Sequence, residues 1–107
     1  MNTLVKNFIG GKWVGAHSGR TFDSHDPATG EVVGRCVDSG PEDVNAAVQA
    51  AMEAFEGWRR TPAPRRGEIL FRVAERLLRD KETMARTVTR EMGKVLAEGR
   101  GDVQEAV

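Results

Sequence analysis

The chain has 107 residues, 39% of them hydrophobic and 30% charged, with a formal net charge of zero. That composition is ordinary for a globular chain and excludes disordered, fibrous and collagen-like classes. No run of about 18 apolar residues is present to span a membrane, no apolar stretch at the N-terminus reads as a secretory signal, and the single cysteine, Cys36, excludes an internal disulfide. A cytoplasmic protein holding one domain at most is expected, since compact domains commonly run to about 100–150 residues. The zero sum hides an asymmetry. Residues 1–58 carry four basic and eight acidic side chains, and residues 59–107 carry twelve basic and eight acidic.

Residues 6–37 have strand and turn chemistry. Lys6-Asn7-Phe8-Ile9 and Lys12-Trp13-Val14 flank Gly10-Gly11, a pair that supplies the positive φ angles of a tight hairpin. A turn at His17-Ser18-Gly19 precedes Thr21-Phe22-Asp23, and another at Asp26-Pro27-Ala28-Thr29-Gly30 precedes Glu31 to Val37. Two strands alone are marginal in water, so this ribbon needs a sheet or a helix to pack on.

From Gly40 the period becomes helical. Pro41 suits the first helical position, and Glu42 and Asp43 complement the dipole of the first turn. Val44, Ala47, Val48, Ala51, Met52 and Phe55 form one apolar stripe, with Gly57 expected to close the helix. A second helix is expected from Pro64 to about Arg79, burying Ile69, Leu70, Val73, Ala74, Leu77 and Leu78. Each large aliphatic there is worth ~1.5–3 kcal/mol if fully buried. Asp80 is expected to cap a third helix carrying Met84, Ala85, Val88 and Met92 and ended by Gly93. A fourth starts near Val95, and its stripe of Leu96, Val103 and Val107 has no closing signal. The chain therefore reads as the front of something longer, with its chemistry further on. The order is a short β-hairpin or β-ribbon lead followed by three to four α-helices. As an independent domain that is α+β; as a piece, it is the helical side of a larger α/β layer.

Catalytic and ligand motifs are mostly refused. Gly99-Arg100-Gly101 lacks the third glycine of a dinucleotide fingerprint, because residue 104 is Gln104 and no strand precedes it. Gly93-Lys94 resembles the end of a P-loop, but Val88 and Val95 stand where a glycine and a hydroxyl residue belong. Cys36, in a predicted strand beside Val37, reads as a small buried hydrophobe rather than a nucleophile based by His17 or His25. The two histidines have no Cys or Glu at zinc spacing. Arg100-Gly101-Asp102 spells an adhesion tripeptide by chance. Arg59, Arg60, Arg65 and Arg66 lack the aromatic or fold signature of a nucleic-acid binder and read as solvated or carboxylate-paired. Glu91, with turn residues Ser24 and His25 and backbone carbonyls, offers oxygen ligands to a hard cation.

Five segments then occur in one order: Phe8-Ile9-Gly10-Gly11-Lys12-Trp13-Val14; Asp26-Pro27-Ala28-Thr29-Gly30-Glu31-Val32; Glu42-Asp43-Val44 through Phe55-Glu56-Gly57-Trp58; Arg65-Arg66-Gly67-Glu68-Ile69-Leu70; and Glu91-Met92-Gly93-Lys94. Together they resemble the start of an NAD(P)-dependent aldehyde dehydrogenase, with Asp26-Pro27 standing where that family usually has Asn-Pro. The resemblance implies an α/β parent fold. Residues 1–107 would be the N-terminal part of its cofactor-binding domain, with 1–39 the hairpin and extended lead and 40–107 the helices.

The implied chemistry is hydride transfer from a covalent thiohemiacetal to NAD or NADP, then hydrolysis of the thioester to a carboxylic acid. It needs a nucleophilic cysteine, a general-base glutamate and an asparagine oxyanion donor. All of them, and the residues that hold the dinucleotide, would lie beyond this chain, and Cys36 matches none. The resemblance also implies a monovalent cation at Ser24, His25 and Glu91, and an aldehyde substrate, with a semialdehyde suggested by the style of 91–94 and 100–104. It further implies a homo-oligomeric parent, while the residues themselves, without a basic-aromatic signature or a long apolar run, suggest no nucleic-acid or membrane partner. Two other readings compete with an inactive N-terminal piece: a self-standing module using the Arg59–Arg66 cluster on an acidic partner, and a structural helical domain with no ligand.

Overall fold

The computed structural model describes residues 4–107, and the chain divides into two compact units. One unit holds the described residues through His25 together with Val32–Arg60; the other holds Asp26–Glu31 and Thr61–Val107.

The first unit contains strands β1 (Leu4–Val5), β2 (Asn7–Ile9), β3 (Lys12–Val14), β4 (Thr21–His25) and β5 (Val32–Val37), then helix α1 (Pro41–Arg60). β2 and β3 make the expected hairpin, with φ of 57° at Gly10 and 77° at Gly11, the paired positive angles of a tight reversal. Phe8 lies directly opposite Trp13, with ring centroids 5.0 Å apart. Such a cross-strand pair adds ~0.2–1 kcal/mol to the hairpin. The remaining strands form a separate sheet in the order β1-β5-β4. β4 runs antiparallel to β5, Phe22 facing Cys36, with a register irregularity between Ser24 and His25. β1 runs parallel along the other side of β5. This strand was not anticipated, because two residues carry no readable alternation.

α1 corrects the expectation at Gly57. The helix continues through Gly57 and Trp58 to Arg60. Arg60 Nε donates to the Glu56 carbonyl at 2.8 Å, and Arg59 pairs with the Glu56 carboxylate at 2.9 Å, so cations engage the last turn where the dipole favours them. The predicted stripe forms but stays open: Val44 is 58% exposed and Met52 64%, and Val48 and Phe55 are also exposed.

In the second unit, the segment Asp26–Glu31 is closed by hydrogen bonds from Gly30 N–H to the Asp26 carbonyl and from Asp26 N–H to the Glu31 carbonyl. The Asp26 side chain accepts from Ala28 N–H at 2.8 Å, an Asx turn. Three helices follow: α2 (Ala63–Arg79), α3 (Lys81–Met92) and α4 (Leu96–Glu105). Only Asp80 separates α2 from α3. Its side chain makes no capping hydrogen bond, contrary to expectation, and accepts instead from Arg79 Nε and Nη2 at 2.9 and 3.0 Å. Gly93 ends α3 as expected, at φ 76° with its N–H on the Thr89 carbonyl. Pro27 packs on that glycine so closely that an added Cβ would stand 2.9 Å from Pro27 Cγ.

α4 is helical despite Gly99 and Gly101, and it closes at Glu105 rather than running on through Val107. A Cβ on Gly99 would meet the Ala85 carbonyl oxygen of α3 at 2.7 Å and Thr89 Oγ1 at 3.2 Å, so the two helices touch backbone to backbone there. Around this contact sit Ala85, 0% exposed, and Val103, 6% exposed, the buried apolar side chains among the described residues. The burial expected for α2 does not occur. Ile69, Leu70, Val73 and Leu78 are exposed, and Ala74 and Leu77 are half-buried.

The two glycines of α4 should respond oppositely. Gly101 has no neighbouring atom within 4 Å, so Gly101→Ala is expected to stabilise by ~0.5–1 kcal/mol through helix propensity. Gly99→Ala must push α3 and α4 apart, at a cost of ~1–3 kcal/mol. Urea unfolding of the two variants measures both.

Candidate functional site

In the first unit the most constrained polar side chain is Asp43, 8% exposed, in the first turn of α1. Its Oδ2 accepts from Gly40 N–H at 2.9 Å and its Oδ1 from His17 N–H at 2.8 Å. The Gly40 and His17 hydrogen bonds hold its carboxyl below the usual carboxylate range, against desolvation. Sequence reasoning placed Asp43 only on the helix dipole. The Gly40 bond is the acidic half of a capping box, readable from an acid three residues after the N-cap; the His17 bond spans 26 residues and has no local signal.

Cys36 lies on the central strand β5, a free thiol, but half-buried rather than the buried hydrophobe expected. Ser24 is half-buried opposite Gly34, and His25 is exposed opposite Val32. Both end β4, whereas Glu91 belongs to the second unit, in the last turn of α3. Among the described residues, no group of three or more His, Cys, Asp or Glu side chains is placed to hold a metal ion.

In the second unit the charges near the suspected motifs are engaged with one another. Lys94 Nζ meets Asp102 Oδ2 at 2.8 Å, and that hydrogen bond, with Coulomb attraction, raises the Lys94 pKa. Arg100 binds Glu82 through two hydrogen bonds of 2.8 and 3.0 Å, and Arg86 reaches the same carboxylate at 2.8 Å. The adhesion tripeptide is therefore part of α4, with both charged members engaged. The P-loop likeness dissolves similarly, Gly93 being a helix cap and Lys94 an ion-pair partner. Arg65 pairs with Glu68 one turn on in α2 at 3.2 Å. With Arg59 and Arg60 tied to Glu56, three of the four clustered arginines are held within their own helices. Carboxylate pairing holds for Arg59 and Arg65, with partners in their own helices, whereas Arg60 donates to a backbone carbonyl.

The remaining candidate surface is apolar. A depression of about 410 Å³ in the second unit is lined by Ile69, Val73, Leu77 and Met84, with Arg72, Arg76 and Asp80. It brings no nucleophile and base together. Leu70 and Phe71 on the same helix are 69% and 75% exposed. The described residues thus present framework and open apolar helix faces, with no helix long and apolar enough to cross a membrane among them.

The family model described as the aldehyde dehydrogenase family matches residues 13–107. The chain belongs to the aldehyde dehydrogenase family. Malonate-semialdehyde dehydrogenase 2 of Geobacillus thermodenitrificans is 48% identical over 103 residues, a match covering 96% of this chain and 21% of that protein. Among solved structures, HpcC from Thermus thermophilus superposes with a TM-score of 0.92 at 38% identity, covering 95% of this chain and 20% of that one. A betaine aldehyde dehydrogenase from Staphylococcus aureus, solved with NAD+, superposes with a TM-score of 0.89 at 31% identity, over 92% and 20% of the respective chains. The chain thus spans about a fifth of the length of the aldehyde dehydrogenases it matches. The family resemblance read from five short segments is borne out, and so is the fold, a β lead followed by four helices.

The Glu82–Arg100 pair makes stability of this aldehyde dehydrogenase family chain depend on acid. Arg100's hydrogen bond, its charge and the charge of Arg86 hold Glu82 below its ordinary value. That contribution is complete above the unfolded carboxylate pKa of about 4.3 and disappears as pH falls through the lower folded value. In urea titrations at decreasing pH, Arg100→Gln is expected to lose stability less steeply than the parent sequence over that window.

Proposed function

We propose that this chain is the N-terminal portion of an NAD(P)-dependent aldehyde dehydrogenase that oxidises a small aldehyde to its carboxylic acid. Residues 1–107 would form part of the cofactor-binding domain, 1–39 as its β lead and 40–107 as its helices. The observation that carries this reading is the open apolar surface on a chain that spans about a fifth of its relatives. Val44, Val48, Met52 and Phe55 on α1, and Ile69, Leu70, Phe71 and Val73 on α2, are in place for burial and uncovered. An amphipathic helix is stabilised mainly by packing that face, so its complement belongs to the fold. The remainder of the enzyme is the partner we assign to these faces. A semialdehyde substrate is proposed because several relatives similar in sequence are named for malonate semialdehyde.

The described residues do not fit a dinucleotide. Gly99 and Gly101 lie inside α4, Gly93 caps α3 and Lys94 is held by Asp102, so no backbone cradle for phosphates is left at these glycines. NAD or NADP is accordingly assigned to the parent enzyme, and no chemical step to a residue of this chain. The self-standing basic module is disfavoured by the pairing of Arg59, Arg60 and Arg65 within their own helices. A cytoplasmic setting and a homo-oligomeric parent are part of the same proposal, the first supported by a lone free thiol.

The test compares the 107-residue chain with a full-length enzyme that carries it. The short chain is expected to reduce no NAD+ or NADP+ with malonate semialdehyde, followed by nicotinamide absorbance, while the long one does; turnover by the short chain would overturn the proposal. Phe71→Glu should change the stability of the short chain by no more than ~0.5 kcal/mol, as exposed substitutions do, and markedly destabilise the long enzyme. Equal effects in both would remove the docking role of α2.

Ser24, His25 and Glu91 are retained as proposed ligands of a monovalent cation, on the chemistry of a carboxylate and a hydroxyl supplemented by backbone carbonyls. Exchanging sodium for potassium is expected to shift the melting temperature of the long enzyme, and Glu91→Ala to abolish the shift. An unchanged shift in the variant would take Glu91 out of the set.

A further inference from the structure

The β2–β3 hairpin is a two-stranded sheet of its own, apart from the β1-β5-β4 sheet of the same unit. Two side-chain ties connect its surroundings to the start of α1. Asn7 Nδ2 donates to Ser39 Oγ at 2.8 Å, just before the helix. His17 N–H, on the loop that leaves β3, donates to Asp43 Oδ1 at 2.8 Å. The other oxygen of that carboxylate holds Gly40 N–H, an unsatisfied donor of the helix start. One 8%-exposed carboxylate therefore satisfies two backbone donors from segments far apart in sequence.

We propose that Asp43 is a two-sided latch, whose carboxylate locks the hairpin arm to α1 and caps α1 in the same act, so that arm release and fraying of the helix start are one event. Neither hydrogen bond can be replaced by water without exposing a half of the carboxylate that the other half holds in place. The latch matters because the arm carries Phe8 and Trp13, 60% and 67% exposed, and so fixes how that aromatic surface is presented on this unit. A neutral carboxyl turns one of its oxygens into a hydroxyl, a weaker acceptor than a carboxylate oxygen, so one side of the latch must weaken. His17 acts on Asp43 through its N–H and its charge, and Glu42 is its acidic neighbour in the same turn. In the folded chain the latch stays closed through neutral pH and opens only in acid below the ordinary carboxylate range, since the folded pKa is depressed.

The experiment is amide NMR on the 107-residue chain. In the parent sequence, the His17 and Gly40 amide shifts are expected to titrate with one shared acid midpoint, because both protons report the same carboxylate. In Asp43→Asn, hydrogen exchange at both amides is expected to accelerate together, by about tenfold or more, while amides of β5 keep their protection. A Gly40 amide that titrates while His17 does not would overturn the latch and leave a simple helix cap. Equal acceleration in β5 would overturn it too, by showing unfolding of the whole unit. Should Asp43→Asn fail to fold, the titration of the parent chain decides alone.

Discussion

The second unit depends on one close approach, the backbone of Gly99 laid against the carbonyl of Ala85. Helices separated by ordinary side chains lie about 8–10 Å apart, and only a residue without a Cβ lets α4 settle this near α3. Ala85 and Val103 are buried by that contact, and polar ties surround it: Lys94 to Asp102, Arg100 to Glu82, and Lys81 Nζ to Gln104 Oε1 at 2.7 Å. These pairs are exposed or, for Lys94 and Asp102, half-buried, and individually weak, so they set the register of the two helices more than they hold them together. Thr89 Oγ1, buried at the same crossing with no hydrogen-bond partner among the described residues, is a cost of packing so tightly.

The first unit has no comparable dry contact among its described residues. Its buried residue is a carboxylate, Asp43, and its hairpin is joined to α1 through polar groups. Apolar material is plentiful but faces outward: Phe8, Trp13, Val44, Met52 and Phe55 are all exposed. A surface of this kind is unfavourable in water and marks an interaction face. The chain belongs to the aldehyde dehydrogenase family and spans about a fifth of the relatives it matches, and the complement we propose for these faces is the remainder of such an enzyme. Fold and function meet here in a framework: the suspected glycine and lysine motifs between Gly93 and Asp102 are engaged in capping, packing and pairing helices.

Much of this was legible from local sequence. Gly10-Gly11, Asp26-Pro27 with Gly30, Gly40-Pro41 and Gly93 each mark an end or a reversal, and each does so in the structure. The apolar period located α1, α2 and α3 to within a few residues. It also suggested where the stripes would be, but not whether anything covered them. Periodicity states which side of a helix is apolar; burial depends on a partner that the pattern does not contain. The family resemblance was legible for another reason, the order and spacing of five short segments along nearly the whole chain.

What sequence alone determined, then, is the local conformation, because positive φ, a proline ring and a 3.6-residue period act over a few bonds. Two further outcomes are local but lie outside the apolar period: α1 runs on past Gly57, with Arg59 and Arg60 engaging Glu56 of the same helix, and Asp80 gives its carboxylate to the adjacent Arg79 rather than to the cap of α3. Tertiary structure decided the rest. β1 exists because β5 offers it an edge. Gly99 is a contact and Gly101 a mere weakness of α4, although both are glycines two residues apart. Such outcomes rest on where each group falls in the assembled structure, and much of that is decided by atoms from distant parts of the chain, which no short-range preference encodes.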